Sequence, residues 1–145
     1  GLSCCILILL FVEDELVYDQ FHDDSERIYR LRVERFSGGG EAEYTASAAA
    51  PMLPAALNDV LQIESGTRLS LQPALVSLDD LSFYEEQLFF ADASFFDVFS
   101  FKLLQGDVAE ALLAPNSLVL TEEAATRYFG SANPLGRSLE VEGLI

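Results

Sequence analysis

The side chains in this 145-residue chain that could do chemistry begin with its only histidine, His22, which is followed at once by Asp23 and Asp24. An imidazole beside carboxylates can act as a general base, but it needs a nucleophile or a third group to work with. No such partner accompanies it, so His22 reads as a solvated turn residue. Adjacent acids recur at Asp79-Asp80, Glu85-Glu86 and Glu122-Glu123. Carboxylates that share a reaction must converge on one substrate, which sequence neighbours do not do. These pairs read as solvated faces and a helix cap. Serines and threonines are plentiful, but none lies in a G-x-S-x-G elbow that would activate it. Cys4 and Cys5 are the only cysteines, and a disulfide between neighbours is disfavoured by geometry. No Cys or His cluster has metal-ligand spacing. The triplet Gly38–Gly40 lacks the spacing and the following lysine of a phosphate loop and reads as a flexible turn. No catalytic, cofactor-binding or metal-binding residue is assigned, and the chain does not read as an enzyme.

Charge narrows the partners. Eight basic and 24 acidic residues give a formal net charge of -16, with the bases scattered from Arg27 to Arg137. Such a surface cannot neutralise a row of phosphates, so no nucleic-acid partner is expected. It would also be repelled by anionic lipid headgroups. The hydrophobic content of 50% is enough for one domain with a sizeable core.

The elements that would position these residues start with an uncharged run, GLSCCILILLFV, over residues 1–12. Twelve helical residues rise about 18 Å, against the roughly 30 Å of a bilayer core. A signal peptide would want a basic start and a small-residue cleavage site, and neither is present. A buried core element and the outer end of a longer transmembrane helix both fit the run. The exit is acidic and carries no Lys or Arg before Arg27, the pattern of a chain leaving a membrane on its outer side.

Beyond the run, Glu13 to Glu26 suggests an amphipathic continuation of the helix, a turn near His22–Asp24, and a short turn capped by Ser25. The pattern predicts strands over Arg27–Phe36, Ser65–Gln72, Leu81–Ala91 (a strand pair or a strand with a bend), Asn116–Leu120 and Arg137–Val141. It predicts helices over Pro51–Leu61, with both prolines in the opening turn, after the Ser94 cap through Phe95–Phe99, and from Thr121 to a stop at Gly130. Asn133–Gly136 reads as a turn. The irregular mixture gives an α+β fold class.

Three blocks of residues are familiar. SCCILILLFVEDELVYDQFHDDSERIYRL resembles the junction between the first transmembrane helix and the periplasmic domain in MacB/FtsX-type ABC transporter permeases. ADASFFDVFSFKLLQGD looks like that family's FF-x-VF-x-F-x-LL-x-GD element. NSLVLTEEAATRYFGSANPLGRSLEV is similar to its strand–helix–strand ending in N-P-[LI]-G-[KR]-[ST]. Together the blocks cover about half the chain, and Ser37–Ser82 carries no matching motif.

The resemblance implies a mixed-sheet extracytoplasmic domain with porter-like strand–helix–strand units, preceded by the end of a transmembrane helix. Residues 1–12 would be the outer part of that helix, and residues 13–145 a MacB-like periplasmic domain, incomplete at its C-terminus. Phe95, Phe96, Phe99 and Phe101 would be core residues of a moving module, and Gly106, Gly130 and Gly136 its turn positions. The implied function is to couple ATP-driven helix motion to export or release of a substrate outside the membrane. ATP would be bound by a separate ATPase subunit or domain, so no cofactor is expected on this chain. Implied partners are that ATPase, a second permease copy and a periplasmic adaptor, and the implied location is the bacterial inner membrane with residues 13–145 outside. The rival expectation is a membrane-anchored sensor or scaffold without transport activity.

Overall fold

From Leu2 to Val12 the chain has no Gly, Pro or charge and has every reason to be helical, and it forms the first part of α1 (Leu2–Val17). The computed structural model describes residues 2–17, 21–36 and 42–143. α1 continues past the uncharged run into the acidic stretch, as the sequence suggested. Its 16 residues rise about 24 Å at the usual pitch. No helix among the described residues is long and apolar enough to cross a membrane. Cys4 to Val12 are all exposed, so α1 presents apolar side chains around its circumference.

After α1, Phe21–Asp24 forms a turn and Ser25–Arg27 a single 3-10 turn. Asp24, rather than Ser25, stands at its N-cap, and no side chain caps it. The strand expected over Arg27–Phe36 is shorter, because a strand lasts only as long as its ladder. β1 (Val33–Phe36) pairs antiparallel with β2 (Ala42–Thr45), from Val33↔Thr45 to Phe36↔Ala42. The triplet Gly38–Gly40 lies outside the described residues. α2 (Met52–Asp59) follows with Pro51 at its N-cap and Pro54 in its first turn, where a missing N–H leaves no helix bond unmade.

The centre of the chain is one long bent hairpin. β3 (Leu69–Leu71) pairs antiparallel with β6 (Phe89–Ala91), and β4 (Ala74–Leu78) with β5 (Leu81–Glu85), around the two-residue turn Asp79-Asp80. Gln72 N–H donates to Leu88 O at 2.8 Å, which continues the β3–β6 register. Between Gln72↔Leu88 and Ala74↔Glu85, Pro73 alone opposes Glu86 and Gln87, a β-bulge at the one residue that cannot donate to a ladder. The bend read into Leu81–Ala91 is this bulge. β7 (Glu140–Val141) adds to the outer side of β4, giving the order β5-β4-β7.

α3 (Phe95–Val98) and α4 (Glu122–Phe129) complete the elements. Thr121 Oγ1 accepts from Ala124 N–H at 3.2 Å, Glu122 and Glu123 sit at the positive end of the helix dipole, and Gly130 ends α4 at φ 60°. Gly106 and Gly136 also have positive φ, as turn positions require. Two expectations fail. Ser94 does not cap α3 with its side chain; its Oγ donates instead to Gly66 O at 2.7 Å. Asn116–Leu120 is not a strand, because its apolar residues meet no ladder partner among the described residues.

The sizeable core expected from composition is not seen among the described residues. Among the described residues the buried hydrophobics are Val76, 3% exposed, and Tyr128, 4% exposed. The chain exposes 12034 Å², against about 7,400 Å² for a compact protein of this mass. The physical reason is the division of the apolar residues among two ribbons, one three-stranded sheet and an exposed helix, none thick enough to enclose much. Stability is therefore concentrated where β4 meets α4. Val76→Ala removes about 2 kcal/mol of unfolding free energy by transfer and cavity terms, measured as a lowered urea midpoint with unchanged slope.

Candidate functional site

The turn after α1 does not hang free in solvent. Phe21 and His22 pack against the segment that leaves α3, with ring centroids 5.3 Å apart for Phe21–Phe101, 5.2 Å for His22–Phe99 and 4.9 Å for His22–Phe101. Phe95 extends the cluster, 5.7 Å from Phe101 with nearly parallel rings and 5.1 Å from Phe99. Aromatic pairs in these geometries contribute beyond the area they cover. Two hydrogen bonds lock the contact: Ser100 N–H donates to His22 Nδ1 at 3.1 Å, and Asp23 N–H donates to Ser100 Oγ at 3.2 Å. His22 is 7% exposed, so its expected place as a solvated turn residue is corrected. Its neighbours Asp23 and Asp24 remain exposed. Phe95, Phe96 and Phe99 are half-buried and Phe101 is 44% exposed, so these rings form a cluster open on one side.

Three ion pairs brace the surroundings. Arg27 Nη2 donates to Glu64 Oε1 at 2.6 Å, linking the 3-10 turn to the loop after α2; both side chains are exposed, so the bond positions more than it stabilises. Arg68 grips Asp92 in a fork, Nε to Oδ2 and Nη2 to Oδ1 at 2.7 Å each, while its Nη1 donates to Ala50 O at 3.2 Å. Arg68 side-chain hydrogen bonds hold the Asp92 carboxyl below the usual carboxylate range, against the opposing pull of its partial burial. The pair closes the open end of the β3–β6 ribbon and ties it to the approach to α2. Gly66, two residues before Arg68, has Leu53 Cδ1 where a Cβ would stand, so it lets α2 come close.

The third pair joins α4 to the sheet. Tyr128 O–H donates to Glu85 Oε1 at 2.6 Å, and Arg127 Nη2 donates to both oxygens of Glu85 at 2.6 and 2.9 Å. Phe83 meets the Tyr128 ring edge-on at 5.3 Å. Burial pushes the Tyr128 hydroxyl up to about 12, reinforced by the hydrogen bond to Glu85 and its negative charge, while Arg127 opposes. Glu85 is thus no solvated face, whereas Glu86, Asp79-Asp80 and Glu122-Glu123 are exposed as expected.

Among the described residues no group of three or more His, Cys, Asp or Glu is placed to hold a metal ion, and Cys4 and Cys5 are free and exposed. The polar contacts described above, of His22, Arg27, Arg68, Arg127 and Tyr128, join one part of the chain to another. The family model for the MacB-like periplasmic core domain matches residues 1–144. The chain belongs to this family. No match was found among curated proteins or among solved structures. Membership associates this MacB-like domain with the extracytoplasmic part of ABC transporter permeases, membrane-associated proteins with a periplasmic segment. It also covers the middle of the chain, Ser37–Ser82, where no motif was legible.

Both electrostatic joints have a pH signature. Tyr128 is more easily ionised unfolded than folded, so its contribution is intact below about pH 10 and is lost as pH rises toward its folded value of about 12. Tyr128→Phe lowers stability by about 2 kcal/mol at neutral pH, because Glu85 loses a donor. The same variant removes the highest-pH step from the ultraviolet tyrosine titration. Asp92 behaves oppositely: its folded value is depressed, so its contribution is full above about pH 4 and is lost as pH falls through the depressed value. Asp92→Asn is destabilised at pH 7, and the difference from the parent shrinks as acid unfolding is followed by circular dichroism below that pH.

Proposed function

We propose that this chain is the extracytoplasmic coupling module of an ABC transporter permease, passing ATP-driven movement of a membrane helix to the outside, where substrate is exported or released. On this reading residues 1–12 are the outer end of a first transmembrane helix and residues 13–145 a periplasmic domain built of porter-like units. α1 supplies the apolar surface for the first part, and the base-free acidic exit supplies the sidedness. The partners are an ABC ATPase that binds ATP inside, a second permease copy and a periplasmic adaptor, in a bacterial inner membrane.

The observation that carries the reading is the clasp between residues 21–23 and 99–101. α1 ends at Val17, and within a few residues the chain is gripped by rings and hydrogen bonds on the far side of the sequence. A shift or rotation of α1 is delivered through that grip to α3, and the Arg68–Asp92 and Glu85–Arg127 pairs keep the ribbon and sheet from absorbing it locally.

The test uses the full-length permease reconstituted with its ATPase, labelled with a fluorophore pair at the exposed positions Asp24 and Glu123. ATP is expected to change the distance between the labels. Phe101→Ala is expected to abolish that change while ATP hydrolysis continues, since a loosened clasp uncouples motion from fuel. A distance indifferent to ATP in the parent would favour the sensor or scaffold reading instead.

A further inference from the structure

His22 is the one buried polar residue among those described, and coupling as proposed above does not require it to be a histidine. The ring accepts from Ser100 N–H through Nδ1. Accepting there requires a bare lone pair, so the neutral ring carries its proton on Nε2. Imidazole is also the side chain whose ordinary titration falls between about pH 5 and 8. A second proton must go to Nδ1, because that is the free lone pair. It would set one N–H against another, Ser100's, and the acceptor would become a donor.

We propose that His22 is a proton-operated latch: with Nδ1 bare it holds the segment after α1 onto the segment after α3, and protonation of Nδ1 releases it. The exchange at Nδ1 distinguishes the two states, and the surroundings do not compensate it. Asp23 and Asp24 lie on the same turn, Asp97 on α3 and Lys102 just past Phe101, and all four are exposed to water that screens them. Asp24 already has Arg27 at 3.6 Å. None of the four makes a hydrogen bond or ion pair with the ring among the described residues, where Ser100 N–H is its partner. Ser100 also accepts from Asp23 N–H, so losing the first bond loosens the second. Acidification therefore favours the open clasp and return to neutral pH the closed one. The consequence for transport, coupling that weakens in acid, rests on the function proposed above; the latch itself rests on the bond at Nδ1 and the chemistry of imidazole.

Amide hydrogen exchange of the full chain reads the latch without reference to transport, so either reading can fail alone. Protection factors, corrected for the intrinsic pH dependence of exchange, are compared for the Ser100 and Asp23 amides. Between about pH 7.5 and about pH 5.5, the protection of Ser100 is expected to fall about tenfold as its acceptor is lost. In His22→Asn, whose side-chain oxygen stands where Nδ1 does and can accept but not titrate, it is expected to change less than about twofold. A protection factor that does not change with pH in the parent, or that falls equally in the variant, overturns the proposal. Should the variant not fold, nitrogen-15 shifts of the parent's imidazole decide: the Nε2–H tautomer at neutral pH supports the latch, and the Nδ1–H tautomer overturns it.

Discussion

The hydrogen bond from Ser100 N–H to His22 Nδ1 joins residues 78 apart in sequence, and the rest of the arrangement follows from that closure. Without it, the turn after α1 would lie in water and Phe99 and Phe101 would lose the rings they pack against. Closing so long a loop is entropically costly, but the cost grows only slowly with length. A cluster of four or five rings plus two hydrogen bonds is the kind of contact that can offset it. The closure also brings α2 into the same assembly, through Arg27 and Glu64.

The few bases are used with notable consistency. Arg27, Arg68 and Arg127 each bind a carboxylate from a different element, Arg32 lies 4.4 Å over the Tyr44 ring, and Arg137 lies 5.4 Å over Phe129. In a chain of net charge -16, these contacts leave most acids among the described residues facing water without a counter-charge. The surface stays strongly negative while the joints between elements are locally neutral. That division suits a body held together by a few directed bonds more than by enclosed volume, and it agrees with a core of two buried hydrophobic side chains among the described residues.

The sequence was legible where the signal is local. α4 carries its own cap, acids and terminal glycine, and it appears where those residues put it; α2 is framed by Pro51 and Pro54 in the same way. Reading failed where the partner is distant. His22 sits among acids in sequence, so nothing nearby announced that Phe99, Ser100 and Phe101 would cover it. β4 was not foreseen, although it holds Val76, because Pro73 and a run of only five residues hid its alternation. Asn116–Leu120 has the composition of a strand, yet composition cannot supply a neighbour to bond with.

The bulge at Pro73 has an effect beyond bending the hairpin. Along a regular strand, residues of like parity share a face, so Phe83 and Phe89 would point the same way. One extra residue between them reverses that count, as a slip of register does. Phe83 meets the Tyr128 ring edge-on, while Phe89, beyond the bulge, is 53% exposed. A single inserted position thus separates Phe83, which α4 covers through Tyr128, from Phe89, which is left largely to water.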